Sequence, residues 1–88
     1  MTILADNILT EVEATAVSFQ NDLLEVTLSD GRLIAIPFHT IPWLRWLANA
    51  TPAQRNNWHI EPGGFAIYWD ELDDGIEIAH LLGMRPLV

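Results

Sequence analysis

The segment from residue 24 to residue 32 constrains the fold more than any other. Its apolar residues alternate with polar ones, which is the period-two pattern of a strand with one solvated face: Leu24, Val26 and Leu28. Asp30-Gly31 follows, and this dipeptide favours a tight hairpin because glycine tolerates the positive φ that such turns require. A returning antiparallel strand is therefore expected over residues 33–37.

Two more strand-forming regions surround this hairpin. Residues 12–19 are expected to form a strand that places three side chains on one face: Thr15, Val17 and Phe19. With the hairpin, this strand makes a meander whose apolar face needs a cover. A second hairpin is expected where residues 58–60 and 65–69 flank the Pro-Gly-Gly turn at 62–64.

Short helices are expected to supply that cover. Thr40 followed by Pro42 predicts a helix that ends near residue 50, because threonine caps helices and proline suits their first turn. Thr51-Pro52 repeats this signature for a shorter helix through about residue 56.

The closing segment, residues 72–83, is interpreted as a third helix with three residues facing the sheet: Ile78, Leu81 and Leu82. Gly83 and Pro86 would end it. Residues 1–11 show only a weak pattern, a loose helical turn or an irregular lead-in. The expected fold is α+β, with a small, mostly antiparallel sheet (a three-strand meander plus a hairpin) covered by two or three short helices.

Length and apolar content favour one domain over residues 1–88. Two cores within 88 residues would each be too small to hold together unaided. The chain is 50% hydrophobic and has four tryptophans, which argues against disorder. It shows neither an apolar run of membrane-spanning length nor a basic leader before one. A cytoplasmic protein without membrane contact is therefore expected.

The charge balance argues against nucleic-acid binding. Twelve acidic residues face four basic ones, for a formal charge of -8. The basic residues are scattered through the chain: Arg32, Arg45, Arg55 and Arg85. A nucleic-acid site needs clustered cations to displace the counterions of phosphates. An acidic surface is compatible with a basic protein partner, and equally with a merely solvated surface.

No combination of side chains indicates a metal or cofactor. Cysteine is absent, which excludes disulfides, thiolate nucleophiles and Cys-ligated zinc. Among the histidines, His39, His59 and His80, only His80 has a carboxylate at ligand spacing, Glu77, and a helical carboxylate site needs that motif twice. No metal or cofactor is therefore expected.

The acidic run at residues 70–74 superficially suggests a calcium loop. Read as such a loop, it places Leu72 and Leu81 where oxygen ligands are required. The simpler interpretation is that these acids stabilise the start of the last helix.

No catalytic residue is identified, and an enzyme is not expected. The serines, Ser18 and Ser29, lie on a strand and in a turn rather than in a nucleophile elbow. The glycine pair at 63–64 lacks the surroundings of a phosphate loop. An alternative stays open: a small enzyme or ligand-binding protein with a pocket between sheet and helices, using Asp70 with His59 or His80.

The predicted helix after Thr40 has an unusually wide apolar face. At about 100° per residue, its apolar residues fill roughly 140° to 360° of the helix circumference, about twice the stripe that covering one sheet requires. Either the rest of the chain covers the excess, or it is a protein interface, for which the candidate residues are Trp43, Arg45, Trp46 and Leu47.

The order of several motifs adds a family resemblance. These are Trp46-Leu47-Ala48, the run 51–58, Gly64 with Ile67 and Trp69, the run 72–76 and Leu81-Leu82-Gly83. Together with the Asp30-Gly31 turn, this order resembles the small bacterial domain of unknown function 2442. The resemblance covers most of the chain and includes no catalytic motif.

The resemblance implies a compact bacterial α+β domain. Some members are joined to a helix-turn-helix DNA-binding segment, and none is expected here. Members are often encoded beside another small protein, which implies an antitoxin-like or adaptor role. One departure is Glu77, where the family tends to carry a small hydroxyl residue that caps the last helix. Asp74 is therefore considered as an alternative cap.

The expected function is that of a non-catalytic interaction module that binds a small protein partner or a second copy of itself. The wide helix, the acidic surface and the lack of a catalytic set motivate this expectation. A third possibility is a nucleic-acid mimic, which would need its carboxylates in a regular row.

Overall fold

The computed structural model describes residues 12–83, which form six strands and a few short helices. The strands are β1 (Ala14–Gln20), β2 (Leu23–Leu28), β3 (Leu33–Ile36), β4 (His59–Ile60), β5 (Ala66–Trp69) and β6 (Asp74–Glu77). The helices are α1 (Arg45–Ala48), α2 (Pro52–Arg55) and α3 (Ile78–Gly83), with 3₁₀ turns at Pro42–Leu44 and Asp70–Leu72. The expected α+β class is confirmed. The weak pattern of residues 1–11 lies outside the described residues.

The predicted meander forms the first sheet, in the order β1-β2-β3 with antiparallel pairing. The alternating face of β2 is buried as predicted, since Leu24, Val26 and Leu28 are at most 2% exposed. The face predicted for β1 is wrong at Thr15, which is exposed. An irregularity in the β1–β2 register between residues 14 and 16 shifts the inward positions, so Ala14 is buried instead.

The two tandem helices lie where the sequence predicts them, with one correction. Thr51 and Gln54 form the reciprocal capping box of α2, through hydrogen bonds of 3.1 and 2.9 Å. Thr40 does not cap the 3₁₀ turn at Pro42–Leu44, whose N-cap is Ile41. The Thr40 hydroxyl instead donates to the carbonyl of Pro37, at 3.0 Å.

Arg55, the last residue of α2, connects α2 to α1 by side-chain hydrogen bonds. Its Nε and one terminal nitrogen donate to the carbonyls of Leu47 and Ala48, at 3.0 and 2.9 Å. Its guanidinium also lies 5.0 Å from the centre of the Phe38 ring. In this way α2 supplies hydrogen bonds to carbonyls at the C-terminal end of α1, where the Leu47 carbonyl also accepts from the Ala50 N–H at 3.2 Å.

The second sheet departs from the expected closing helix. The predicted hairpin forms β4 and β5, and residues 74–77 add β6 in the order β4-β5-β6. The chain reverses at Asp73, which adopts a left-handed φ of 51°, directly after a 3₁₀ turn. Ile76 then pairs with Ile67 on the buried face, so the helix begins only at Ile78.

The acidic run 70–74 therefore does not lie at the start of the last helix, as the sequence interpretation had it. It forms the turn between β5 and β6 and the first residue of β6. Asp74 does not cap the last helix either, since its carboxylate accepts a 2.8 Å hydrogen bond from the backbone of Gly75.

Both sheets contribute to one buried cluster, and the turn after β4 joins them. The backbone N–H of Ala14 donates to the carbonyl of Gly64 at 2.7 Å. Gly64 has a φ of +73°, and a Cβ there would lie 2.5 Å from the Cβ of Glu13. Only glycine satisfies both the dihedral and the close approach. Ile34 packs against this cluster partly buried, and the cluster itself includes these buried residues: Leu24, Val26, Leu28, Ile36, Leu44, Ile67 and Leu81.

Candidate functional site

An apolar groove lies between the start of β5 and helix α3. Its volume is about 490 Å³, and its lining is Val12, Phe65, Ala66, Glu77, Ile78, Ala79 and Leu82. Phe65 is 50% exposed and Leu82 is 38% exposed. The backbone N–H of Ile78 donates to the carbonyl of Phe65 at 2.8 Å, which fixes the first residue of α3 against the strand side of the groove.

The exposure of Leu82 corrects the sequence interpretation, which placed it against the sheet with Ile78 and Leu81. Those two residues are buried as expected, at 1% and 4% exposure. Because β6 occupies residues 74–77, α3 is short, and these two side chains supply its buried contacts. Leu82 is left at the groove.

A row of carboxylates crosses the outer face of the second sheet beside this groove. The Glu61 backbone N–H donates to the Ala66 carbonyl at 2.9 Å, and Ala66 pairs with Glu77 on its other side. Side chains alternate along a strand, and Ile67 and its partner in β6 occupy the buried face. Glu61, Ala66 and Glu77 therefore lie side by side on the outer face.

The next row on this face holds a histidine between two acids. His59 pairs with Tyr68 across β4 and β5. The Nε2 atom of His59 lies 2.5 Å from Glu61 Oε2, and its Nδ1 atom lies 3.3 Å from Asp70 Oδ2. The structure thus brings together Asp70 and His59, one of the two pairs named for the enzyme alternative. Asp70 is largely exposed, His59 and Glu61 are each a little under half exposed, and none of the three lines the groove.

Tyr68 lies on the same outer face, between His59 and Gly75. Its hydroxyl donates to Asp73 Oδ1 at 2.5 Å. This hydrogen bond to a carboxylate, reinforced by the negative charges nearby, raises the pKa of Tyr68 to about 12. A Cβ at Gly75 would lie 2.9 Å from the Tyr68 ring, so the absence of a side chain lets the ring lie close to β6.

The interface residues predicted on the wide helix fall in different environments. Leu47 is fully buried, so it belongs to the core and offers no surface. Trp46 is partly buried and meets the buried Trp69 edge-on, with ring centres 5.5 Å apart. Trp43 is partly buried and packs on the His80 ring, at 4.4 Å. Arg45 is exposed and borders a second, polar cleft of about 310 Å³.

Within residues 12–83, no three His, Asp or Glu side chains are placed to hold a metal ion. The carboxylates of Glu61 and Asp70 face opposite nitrogens of the His59 ring, so they do not converge on one point. Of the helices in this same part of the chain, none has the length and hydropathy needed to cross a bilayer.

The fold and site define a small α+β domain with two antiparallel sheets and an exposed apolar groove beside an acidic face. Residues 14–86 match the family described as "Protein of unknown function (DUF2442)". The chain belongs to this family, as its motif order indicated.

The fold is similar to that of one crystal structure, a protein of unknown function from Rhodospirillum rubrum. The TM-score is 0.69 at 22% identity, and the match covers 82% of this chain and 86% of the other. At that identity the likeness concerns the fold alone. No curated protein is significantly similar to the chain.

Sequence reasoning did not single out the groove residues Phe65 and Leu82 or the carboxylate row. Phe65 stands in a strand-like run and Leu82 in a helix-like run, and both patterns are typical of buried residues. Their exposure depends on which elements cover them. Glu61 and Glu77 are far apart in sequence, and the register of β5 brings them together.

Proposed function

We propose that this domain is a non-catalytic protein-interaction module that binds through the surface around α3. We define the α3 surface as Phe65, Ala79, His80 and Leu82 together with Trp43, which packs on His80. The observation that carries the proposal is the exposure of Phe65 and Leu82 on either side of one apolar groove. Large exposed apolar side chains gathered around a concavity are typical of binding surfaces.

Trp43 adds an aromatic ring beside α3, in contact with a different residue of that helix from those that line the groove. Its ring is partly exposed and rests on His80, which is itself exposed. Aromatic residues dominate the energetics of protein interfaces because they bury a large area at little cost in side-chain entropy. Arg45, exposed nearby in sequence, would lie at the polar rim of such an interface.

An antitoxin-like or adaptor role is the form of this function that we favour. The family resemblance implies a small protein partner encoded nearby, and a domain with this surface would bind such a partner. A second copy of the chain is the other partner that the proposal includes, since covering apolar surface stabilises a domain of this size.

Light scattering on the purified full-length chain tests the proposal, alone and with the product of the adjacent gene. Wild type should form a homo-oligomer or a complex, and Phe65→Ser should weaken it at least about tenfold, as expected for a central aromatic contact. Leu33→Ser is the matched control, because Leu33 is 56% exposed but lies on the first sheet. A wild type that stays monomeric and binds nothing would contradict the proposal, and so would equal weakening by both variants.

The enzyme alternative has one observation in its favour, the approach of His59 to Asp70 at 3.3 Å. A general acid or base normally acts inside a cleft that positions a substrate. Neither of the cavities described above is lined by His59 or Asp70. The exposed apolar groove therefore favours binding of a protein over chemistry at this pair.

A further inference from the structure

We infer that the occupant of the groove is a cationic amphipathic segment of a partner protein, with apolar side chains on one face and Lys or Arg along the edge of that face. This inference rests on the proposed function and specifies the chemistry of the partner. Its apolar side chains would enter the groove at Phe65 and Leu82. Its cations would lie over the adjoining carboxylates of the second sheet.

Within residues 12–83, the charged side chains that line the groove or flank Ala66 beside it are carboxylates. Glu77 is the charged residue of the groove lining, and Glu61 stands on the other side of Ala66 in the same row. The same sheet face continues to Asp70, which meets His59, and to Asp73, which accepts from Tyr68. A partner that enters the groove therefore approaches several carboxylates at once.

The arginines in the described part of the chain do not neutralise this face. Arg55 is engaged with the carbonyls of α1, and Arg32 pairs with Asp30 at 2.7 Å in the β2–β3 turn. Arg45 borders the polar cleft rather than the groove. An acidic surface left uncompensated attracts cationic partners and repels acidic ones, which sets both association rate and specificity.

The shape of the surface suits a close approach by a peptide backbone. Ala66 and Gly75 are the smallest residues of the outer face, and they occupy neighbouring rows. Glu61 and Glu77 flank Ala66. Two cations of the partner segment could therefore each pair with a carboxylate while the backbone of that segment passes over Ala66. A partly exposed carboxylate pairs with Arg or Lys by charge-assisted hydrogen bonds.

Two synthetic peptides of equal length, one patterned with Leu and Lys at helical spacing and the other with Leu and Glu, provide the probes. Both would be titrated into the ¹⁵N-labelled full-length protein. The Leu/Lys peptide should shift the amide signals of residues 65–66 and 77–82. The Leu/Glu peptide should bind at least about tenfold more weakly, because like charges oppose association.

Paired charge variants separate a local effect from one of net charge. Glu61→Gln with Glu77→Gln should weaken the Leu/Lys peptide about tenfold. Asp22→Asn with Glu25→Gln removes the same charge near the first sheet, where Glu25 lies in β2 and Asp22 in the β1–β2 turn, and should change the affinity less than about twofold. Equal losses in both pairs would mean non-specific attraction to an acidic protein and would overturn the inference.

The remaining outcomes distinguish this inference from the proposed function. Equal binding of both peptides in the groove would overturn the cationic specificity and leave the interaction function standing. Signal shifts confined to other residues, or absent for both peptides, would overturn the inference, while light scattering decides the function independently. If Phe65→Ser lowers the melting temperature as much as Leu28→Ala, the chain's own residues fill the groove, and the inference is again wrong.

Discussion

Tyr68 is the single tyrosine of the chain, so its ionisation can be followed directly by ultraviolet absorbance. The hydrogen bond to Asp73 raises the pKa of Tyr68 to about 12, above the ordinary value of 10.0. We expect the alkaline absorbance titration to have its midpoint near 12. The raised pKa means that this contact stabilises the fold fully below pH 10 and that the contribution disappears as pH rises towards 12.

Asp73→Asn should return that midpoint towards 10.0, because it removes the negative charge beside the hydroxyl. Asparagine tolerates the left-handed φ of 51° at this position, so the turn should persist. Glu71→Gln is the control, since Glu71 does not contribute to the shift. A wild-type midpoint near 10.0 would show that the Tyr68–Asp73 contact does not persist in solution.

The two tryptophans of the wide helix should differ in what their removal costs. Trp46→Ala deletes a ring that packs on the buried Trp69, and we expect the free energy of unfolding to fall by about 2 to 4 kcal/mol. Trp43→Ala should cost less stability, because its contact, His80, is exposed, yet it should weaken the complex seen by light scattering. Urea unfolding of both variants measures the difference. Equal stability losses would mean that both rings are core residues and that Trp43 has no separate role at an interface.

At the scale of elements, Glu77 occupies the position immediately before α3. This is the N-cap position, where a short side-chain oxygen accepts from the first free backbone N–H groups. Glu77→Ser, which introduces the type of residue that the resemblance led us to expect there, should stabilise the protein by about 0.5 to 1 kcal/mol. Thermal unfolding would show the gain as a higher melting temperature. Glu77→Ala removes the charge without adding a cap and should show no gain, so a similar rise in both variants would exclude capping.

Elements whose signals are local could be predicted from the sequence. The alternation of β2, the Asp30-Gly31 turn and the capping box of Thr51 and Gln54 depend on neighbouring residues only. The end of the chain could not be predicted in the same way. The segment 74–77 has only four residues, two of them acidic, and Ile78 and Leu81 fit helical spacing, so no local signal separates β6 from α3. The pairing of Ile76 with Ile67 makes residues 74–77 a strand, and this pairing is a tertiary contact.

The candidate site was less accessible to sequence reasoning than the fold. The apolar face predicted for residues 41–50 was wider than one sheet needs, and the structure gives its residues different environments. Leu47 lies in the core, Trp46 packs on Trp69 and Trp43 packs on His80. The partners of these tryptophans lie in β5 and α3, and their positions follow from tertiary packing. The groove at Phe65 depends on the same packing.

At the scale of the whole molecule, the contact between Gly64 and β1 joins the two sheets. Gly64→Ala should lower the free energy of unfolding by about 2 kcal/mol or more, because it combines a left-handed backbone with a Cβ only 2.5 Å from that of Glu13. Gly31→Ala is a matched control, since Gly31 has a φ of +94° but no heavy atom within 4 Å of its added Cβ. Urea denaturation should show the larger loss for Gly64→Ala. Equal losses would mean that the dihedral alone matters and that the contact is dispensable.

Each sheet is built from strands that follow one another directly in the sequence, with the helices α1 and α2 between the two sets. A break in the peptide chain near Asn56 and Asn57, after α2, would therefore cut no strand pairing. The two fragments would each keep their complete hydrogen-bonded ladder and would lose only the covalent link across the shared core. Mixed as separate polypeptides, they should reassociate by fragment complementation. Glu61 and Glu77 both belong to the second fragment, whereas Val12 of the groove lining belongs to the first, so the groove should be complete only in the reassociated pair.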